Sequence, residues 1–312
     1  MVALTGGRES RCHGRMSNTP VIEVERLNLT YGDFHAVKDL SFEVRRGELY
    51  ALLGTNGAGK TSTLETIEGH RRPTSGTVRV FGRSPQDRSA VRPRMGVMLQ
   101  ESGFSPDLTV RESVGLVGRL TRRTDDVDRL LDLVDLTDRA GRKVSQLSGG
   151  EKRRLDFATA VYGTPELIFL DEPTTGLDIQ SRDAVWATVD RVRENGATIV
   201  LTTHYLEEAQ QRADRIGLMH QGTFHREGTV SELTRTLPAV IRFSLPAPAP
   251  SLPLPLPLPA VVDADRKVMV ETFALQEDLH LLLRWAQEHA VELRGLEAGA
   301  TRLDDVFRAI SS

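Results

Sequence analysis

The chain has 312 residues, 40 of them basic and 43 acidic, for a formal charge of −3 and a pI near 6.3. That length suffices for a full α/β core and a smaller appendage, and the interspersed charges exclude the bulk basic character that nucleic acid or anionic lipid demands. The single cysteine, Cys12, rules out an intrachain disulfide and fits a reducing compartment; no apolar run approaches the ~20 residues of a spanning helix, so work at a membrane would need another chain to cross it.

Residues 1–19 mix Gly, Arg and Ser without the apolar core of a signal peptide, and are expected to form a disordered tail, with Met16 as an alternative start. Val21–Leu29 alternates as a strand, Tyr31-Gly32 turns, and Ala36–Val44 is a second strand. Arg46-Gly47-Glu48 then turns into the apolar run Leu49–Leu53. Directly after that run stands Gly54-Thr55-Asn56-Gly57-Ala58-Gly59-Lys60-Thr61-Ser62, the P-loop spacing set between a strand and a helix that starts at about Lys60. Its glycines let backbone N–H groups turn inward around phosphates, and the helix aims its positive dipole end at the same anion. Lys60 offers a point charge to the outer phosphates and Thr61 a hydroxyl to Mg²⁺. Only five of the 40 basic residues are lysines, and one stands where a compact ammonium rather than a planar fork is required.

Val78–Gly82 reads as a strand and turn, and Met95–Gln100 as a short apolar strand with a polar end. Helical patterns fill Val110 to Ala140, with Leu130, Leu131, Val134 and Leu136 on one face. Leu147-Ser148-Gly149-Gly150-Glu151 interrupts before a helix resumes through Arg154, Leu155 and Ala158. Leu167–Leu170 is wholly apolar, as in a buried parallel strand, and ends on Asp171-Glu172: one carboxylate placed to hold Mg²⁺ through water, the next to polarise an attacking water. A helix marked by Val185, Val189 and Val192 ends at Asn195-Gly196, and Thr198–Thr203 is another buried strand closing on His204. Strands alternating with helices predict a mainly parallel sheet.

Beyond Pro238 the pattern changes. Val240–Leu245 reads as a strand, and the stretch 246–259 then holds seven of the 15 prolines, an extended spacer without amide donors for helix or central strand. Lys267–Glu271 is a strand; Leu275, Leu279, Leu282, Leu283, Ala286 and Ala290 share a helical face; Val291–Leu296 is a last strand and Asp304–Ile310 a short helix.

Taken together these motifs resemble the ATPases of ABC transporters. Leu147-Ser148-Gly149-Gly150-Glu151 is similar to the family signature Leu-Ser-Gly-Gly-Gln, departing at Glu151, and lies between the two nucleotide motifs as in the family. The resemblance covers roughly Val21 to Leu233. It implies an α/β P-loop ATPase core (20–235) with an antiparallel β subdomain and a helical subdomain at about 101–160, followed by a small C-terminal α+β domain over 236–312. It implies ATP and Mg²⁺ as ligands. Tyr31 would stack on adenine with Val37 beneath it. Gly54 to Ser62 would bind phosphates, with Thr61, Gln100 and Asp171 serving the metal. Glu172, His204 and Lys60 would be catalytic. Ser148, Gly149, Gly150 and Glu151 would complete the site of a partner domain, and Asp178, in Gly176-Leu177-Asp178, would cross the dimer interface.

Arg153-Arg154-Leu155-Asp156 and Leu303-Asp304-Asp305-Val306-Phe307 are similar to bacterial drug exporter ATPases of the daunorubicin-resistance type. The implied protein is a homodimer, or a pair with a related ATPase, on the cytoplasmic membrane face beside a separate multi-spanning permease, with no nucleic acid. An importer ATPase, or one serving a lipid or polysaccharide exporter, is the alternative.

Overall fold

The computed structural model describes residues 20–100, 103–235, 237–246, 260–262 and 266–311. The tail 1–19 and all of the proline-rich spacer but Pro246 lie outside the described residues. In chain order come β1 (Pro20–Tyr31), β2 (Phe34–Arg45), β3 (Leu49–Gly54), α1 (Lys60–Ile67), β4 (Ser75–Val80), α2 (Arg88–Val91) and β5 (Met95–Met98). The helical segment holds α3 (Val110–Thr121), α4 (Val127–Leu133) and α5 (Gly149–Ala160). Next are β6 (Leu167–Asp171), α6 (Ile179–Glu194), β7 (Thr198–Thr202), α7 (Leu206–Arg212), β8 (Arg215–His220), β9 (Thr223–Gly228) and α8 (Val230–Thr234). The C-terminal part is β10 (Ala239–Ser244), β11 (Ala260–Val262), β12 (Lys267–Thr272), α9 (Leu275–Glu288), β13 (Arg294–Gly299) and α10 (Leu303–Ser311).

A six-stranded sheet in the order β5-β6-β7-β3-β8-β9 carries the fold. Its first five strands are parallel and β9 is antiparallel to β8. Strand alternation divides its side chains between two cores. Leu49, Ala51, Leu53, Ile168, Leu170, Ile199 and Leu201 face the helices α3 to α6. Tyr50, Leu52, Phe169 and Val200 pack instead with α1 and the antiparallel sheet β2-β1-β4. Every residue of β3 is buried, as the apolar run before the P-loop requires. The C-terminal sheet, in the order β11-β12-β10-β13, is antiparallel and packs Ile241, Phe243, Val268 and Val270 on Leu282, Trp285 and Ala286 of α9.

Three features depart from the expectations raised by the sequence. Strands β8 and β9 are absent from those expectations, because Gly217 interrupts the apolar run of β8; a Cβ there would come within 2.5 Å of the Tyr50 hydroxyl and 2.8 Å of Phe224. The last strand is β13 rather than Val291–Leu296. Ala290 turns the chain at φ 52, and the Val291 N–H goes back to Ala286 O at 2.8 Å, closing α9. Finally, α10 does not pack with the small sheet's own core. Leu303 and Val306 are buried in the helix-side core of the six-stranded sheet, and the Leu303 N–H donates to Gln210 Oε1 on α7 at 2.9 Å.

Candidate nucleotide site

Strand β3 ends at Gly54 and α1 begins at Lys60, so the loop between them sits at the carboxyl edge of the parallel sheet, where ligands of open α/β folds bind. Gly59 caps α1 in the left-handed region at φ 98. A Cβ there would lie 2.5 Å from Ala36 O and 2.9 Å from Val37 Cγ2, so only glycine fits. The Lys60 ammonium folds back to donate to Gly54 O at 2.8 Å and Thr55 O at 3.2 Å. Burial pushes its pKa down, against the pull of Glu172 and Asp171.

A cleft of about 610 Å³ opens over this loop, within the usual range for small-molecule sites. It is lined by Asn56 to Ser62, Tyr31, Gln100, Asp171, Glu172 and His204, together with Phe34, Ala36 and Thr202. Three strand ends thus converge: β6 supplies the carboxylates, β7 leads to Thr202 and His204, and β5 leads to Gln100. Gly54 and Thr55 do not line the cleft; their carbonyls hold Lys60. Val37 is fully buried behind Gly59, and its neighbours Ala36 and Phe34 face the cleft instead. Phe34, 63% exposed, is a cleft residue that the sequence motifs miss, although an aromatic three residues from Tyr31 in a chain with only 5% aromatics is a usable signal.

Glu172 is the centre of the polar network. One oxygen pairs with His204 Nε2; the other accepts from Gln100 Nε2 at 3.2 Å and from Thr175 Oγ1 at 3.2 Å. Its backbone is left-handed at φ 48, a conformation that costs a non-glycine residue about 1–3 kcal/mol and persists only when its surroundings impose it. The imposing groups are the Thr202 carbonyl, 2.9 Å from the Glu172 N–H, and Arg153, whose Nη2 donates to Glu172 O at 2.8 Å. Asp171 accepts from the Thr202 hydroxyl. Arg153 further donates to Leu99 O, Gln100 O, Asp171 O and Pro173 O at 2.6–3.2 Å.

The signature residues lie outside the cleft. Ser148 caps α5: its Oγ accepts from the Glu151 N–H at 3.2 Å, and Glu151 Oε2 accepts from the Ser148 N–H at 2.8 Å, a reciprocal capping box. Glu151 also accepts from Arg139 Nε at 2.8 Å. The Ser148 amide and then Arg139 hold its carboxyl below the usual range. Its carboxylate is therefore engaged by the helix start and by Arg139; the Ser148 O–H and the Gly149 and Gly150 amides remain as donors. Asp178 caps α6 by accepting from the Ser181 N–H at 2.8 Å, and the adjacent Ile179 is 77% exposed.

A glycine loop joining a buried parallel strand to a helix, with an Asp-Glu pair and a histidine at neighbouring strand ends, defines a P-loop nucleoside triphosphatase. The family model described as ABC transporter matches residues 37–175, and that of the C-terminal domain of ABC transporter domain-containing protein-like proteins matches 239–301. The chain is 37% identical over 298 residues to the daunorubicin resistance ATP-binding protein DrrA3 of Streptomyces coeruleorubidus, covering 92% of this chain and 94% of that one. It is 40% identical over 218 residues to the Nod factor export ATP-binding protein I of Paraburkholderia xenovorans, covering 68% and 72%. A solved ATP-binding subunit of an ABC transporter superposes with a TM-score of 0.63 at 27% identity, covering 69% of this chain and 92% of that one. The dimeric structure of MJ0796, a bacterial ABC transporter cassette, superposes with a TM-score of 0.59 at 26% identity, covering 67% and 98%. The chain belongs to the ATP-binding subunits of ABC transporters, which are ATP-hydrolysing enzymes.

Proposed function

We propose that this subunit powers export of a drug or other small molecule through a separate permease, working as a pair of ATPase subunits on the cytoplasmic face of the membrane. The observation that supports the pairing is that the signature residues, at a helix start, lie outside the cleft that holds the P-loop. That cleft gathers Lys60, Thr61, Gln100, Asp171, Glu172 and His204, while a second anion-binding helix start stands at Ser148 to Gly150. A second copy placed head to tail would bring its Ser148 and Gly150 to this P-loop, with Asp178 and the exposed Ile179 at the interface. The relatives named for daunorubicin resistance and Nod factor export support the direction of transport.

Tyr31 provides an aromatic face for adenine at the edge of the cleft. Lys60 and the amides of 57–62 neutralise and orient the phosphates. The Thr61 hydroxyl, the Gln100 amide oxygen and the Asp171 carboxylate are hard oxygen donors. No cluster of three His, Cys, Asp or Glu side chains stands ready for a metal among the described residues; the donor set fits Mg²⁺ arriving with nucleotide phosphates. Bound there, Mg²⁺ would neutralise charge developing on the phosphate oxygens. Glu172, fixed by its strained backbone, orients the attacking water and accepts its proton, and His204 holds the same carboxylate from the other side.

Motion of Gln100 on opening would reach the helical segment through Arg153 of α5, which donates to Gln100 O at 3.2 Å; beside it lies a cavity of about 250 Å³ lined by Leu99, Leu116 and Leu120 among others. These three leucines are 62%, 39% and 74% exposed, a surface suited to an apolar permease helix.

Glu172→Gln is expected to bind ATP and accumulate as a dimer on size exclusion, whereas Lys60→Ala loses hydrolysis and binds nucleotide weakly. Wild-type turnover in either variant would refute the assigned role. Cells expressing the chain with its permease should accumulate less daunorubicin than cells carrying Lys60→Ala if the cargo is that of the daunorubicin-resistance relatives; equal accumulation would overturn daunorubicin as the cargo.

A further inference from the structure

The Tyr31 ring is held from two directions before any base reaches it. Its hydroxyl lies 2.8 Å from Ser62 Oγ in the first turn of α1. The Arg71 guanidinium carbon stands 4.0 Å from the ring centroid, over its face. Arg71 is itself fixed: its Nε pairs with Glu65 of α1 at 3.5 Å, its N–H donates to Glu65 O at 3.2 Å, and its carbonyl accepts from Gln86 Nε2 at 3.0 Å. Tyr31 lines the nucleotide cleft, and Arg71 is not among the residues that line it.

We propose that Arg71 is a positioning residue for nucleotide binding, which makes Tyr31 a preset base platform; this rests on the reading of Tyr31 as the adenine-stacking residue. A tyrosine that is 40% exposed would otherwise lose rotamer freedom when a base stacks on it. The guanidinium, seated on the negative π-face of the ring, lowers that cost by holding the ring in place. The P-loop helix thus organises both ends of the ligand: its N-terminus faces the phosphates, while Ser62 and, through Glu65, Arg71 set the surface for the base.

The test compares ADP with pyrophosphate, its base-free counterpart, by isothermal titration on the full chain. Arg71→Leu is expected to raise the Kd for ADP about two- to fivefold, the worth of an exposed cation–π contact, and to leave the Kd for pyrophosphate unchanged. Arg71→Lys should retain most of the affinity, and in a Tyr31→Leu background Arg71→Leu should add no further loss. An equal loss for pyrophosphate, a loss that persists without Tyr31, or no loss at all would each overturn the assignment. Unaltered pyrophosphate binding also shows that the variant is folded around its P-loop. Tyr31→Leu alone separates the two readings. If it leaves ADP binding intact, the platform itself is wrong; if it weakens ADP binding while Arg71→Leu does not, only the role of Arg71 falls.

Discussion

Glu172 and Glu68 show how differently two buried glutamates of one site region are treated. Glu172 is ringed by donors from Gln100, Thr175 and His204. Glu68, at the end of α1, is 9% exposed, and His70 Nε2 stands 3.7 Å from its Oε2. Burial first, then the charges of Asp171 and Glu65, push the Glu68 carboxyl from 4.5 to about 7, with Arg92 pulling the other way. Burial and the charges of Arg92 and Arg88 push His70 down, so a charged imidazole is not favoured beside it. Below pH 4.5 Glu68 is protonated in both folded and unfolded chains, and its full contribution to stability is present. Between pH 4.5 and 7 the unfolded chain releases the proton and the folded one keeps it, so stability falls as pH rises, levelling above 7. Glu68→Gln should remove this slope. At pH 8 it should be more stable than wild type by up to about 3 kcal/mol, with little difference at pH 4.5. Urea midpoints of both proteins across that range decide it: parallel profiles would mean that Glu68 ionises freely in the fold.

Between elements, the decisive link is Arg153, which ties α5 to the segment after β5 and to the end of β6. Its side chain is 8% exposed, and five carbonyls, from Leu99, Gln100, Asp171, Glu172 and Pro173, accept from its guanidinium. Arg153→Met would leave those acceptors without their donor in a dry site, at a cost of about 3 kcal/mol or more. Arg153→Lys should not rescue it, because an ammonium cannot fork to both segments. The expected signature is a lower unfolding midpoint and a reduced kcat with the Kd for ADP near wild type. A variant that keeps its kcat would show that the left-handed Glu172 backbone is held without Arg153.

This linkage also marks what was legible in the sequence. The P-loop, Asp171-Glu172 and Ser148-Gly149-Gly150 were visible because each packs its chemistry into contiguous residues at a strand or helix end. Arg153 was visible only as part of a family-like run, since its acceptors lie 18 to 54 positions away. Arg71 and Tyr31 are 40 residues apart, at a separation no periodicity encodes. Val37, expected beneath the adenine, is fully buried behind Gly59, and Ala36 and Phe34 line the cleft.

At the scale of the whole molecule, the C-terminal stretch is not a self-contained appendage. Its small sheet has its own core around Trp285, yet its last helix completes the other one. Leu303 and Val306 are buried in the core that holds Trp186, with Phe307 and Ile310 packed against it, and Arg242 on β10 pairs with Asp305 on α10 at 2.7 Å. The chain therefore leaves the ATPase core, builds a second sheet, and returns to cover α7 and α8. The two tryptophans of the sequence fall one in each core, which makes the arrangement measurable. In a Trp285→Phe protein, Trp186 alone reports on the ATPase core. Truncation after Thr301 uncovers the surface that Leu303 and Val306 fill. At about 1.5–3 kcal/mol for each buried aliphatic side chain, the Trp186 urea transition should lose stability on the order of 3–6 kcal/mol. If α10 belonged to the appended domain, that transition would stay where it was, because the lost contacts would lie wholly in the core that Trp285 reports. A drop in the Trp186 midpoint would instead make the appended sheet a loop of the ATPase core, anchored at both ends, so that strain on the sheet could reach α7 and, just ahead of its first turn, His204 in the nucleotide cleft.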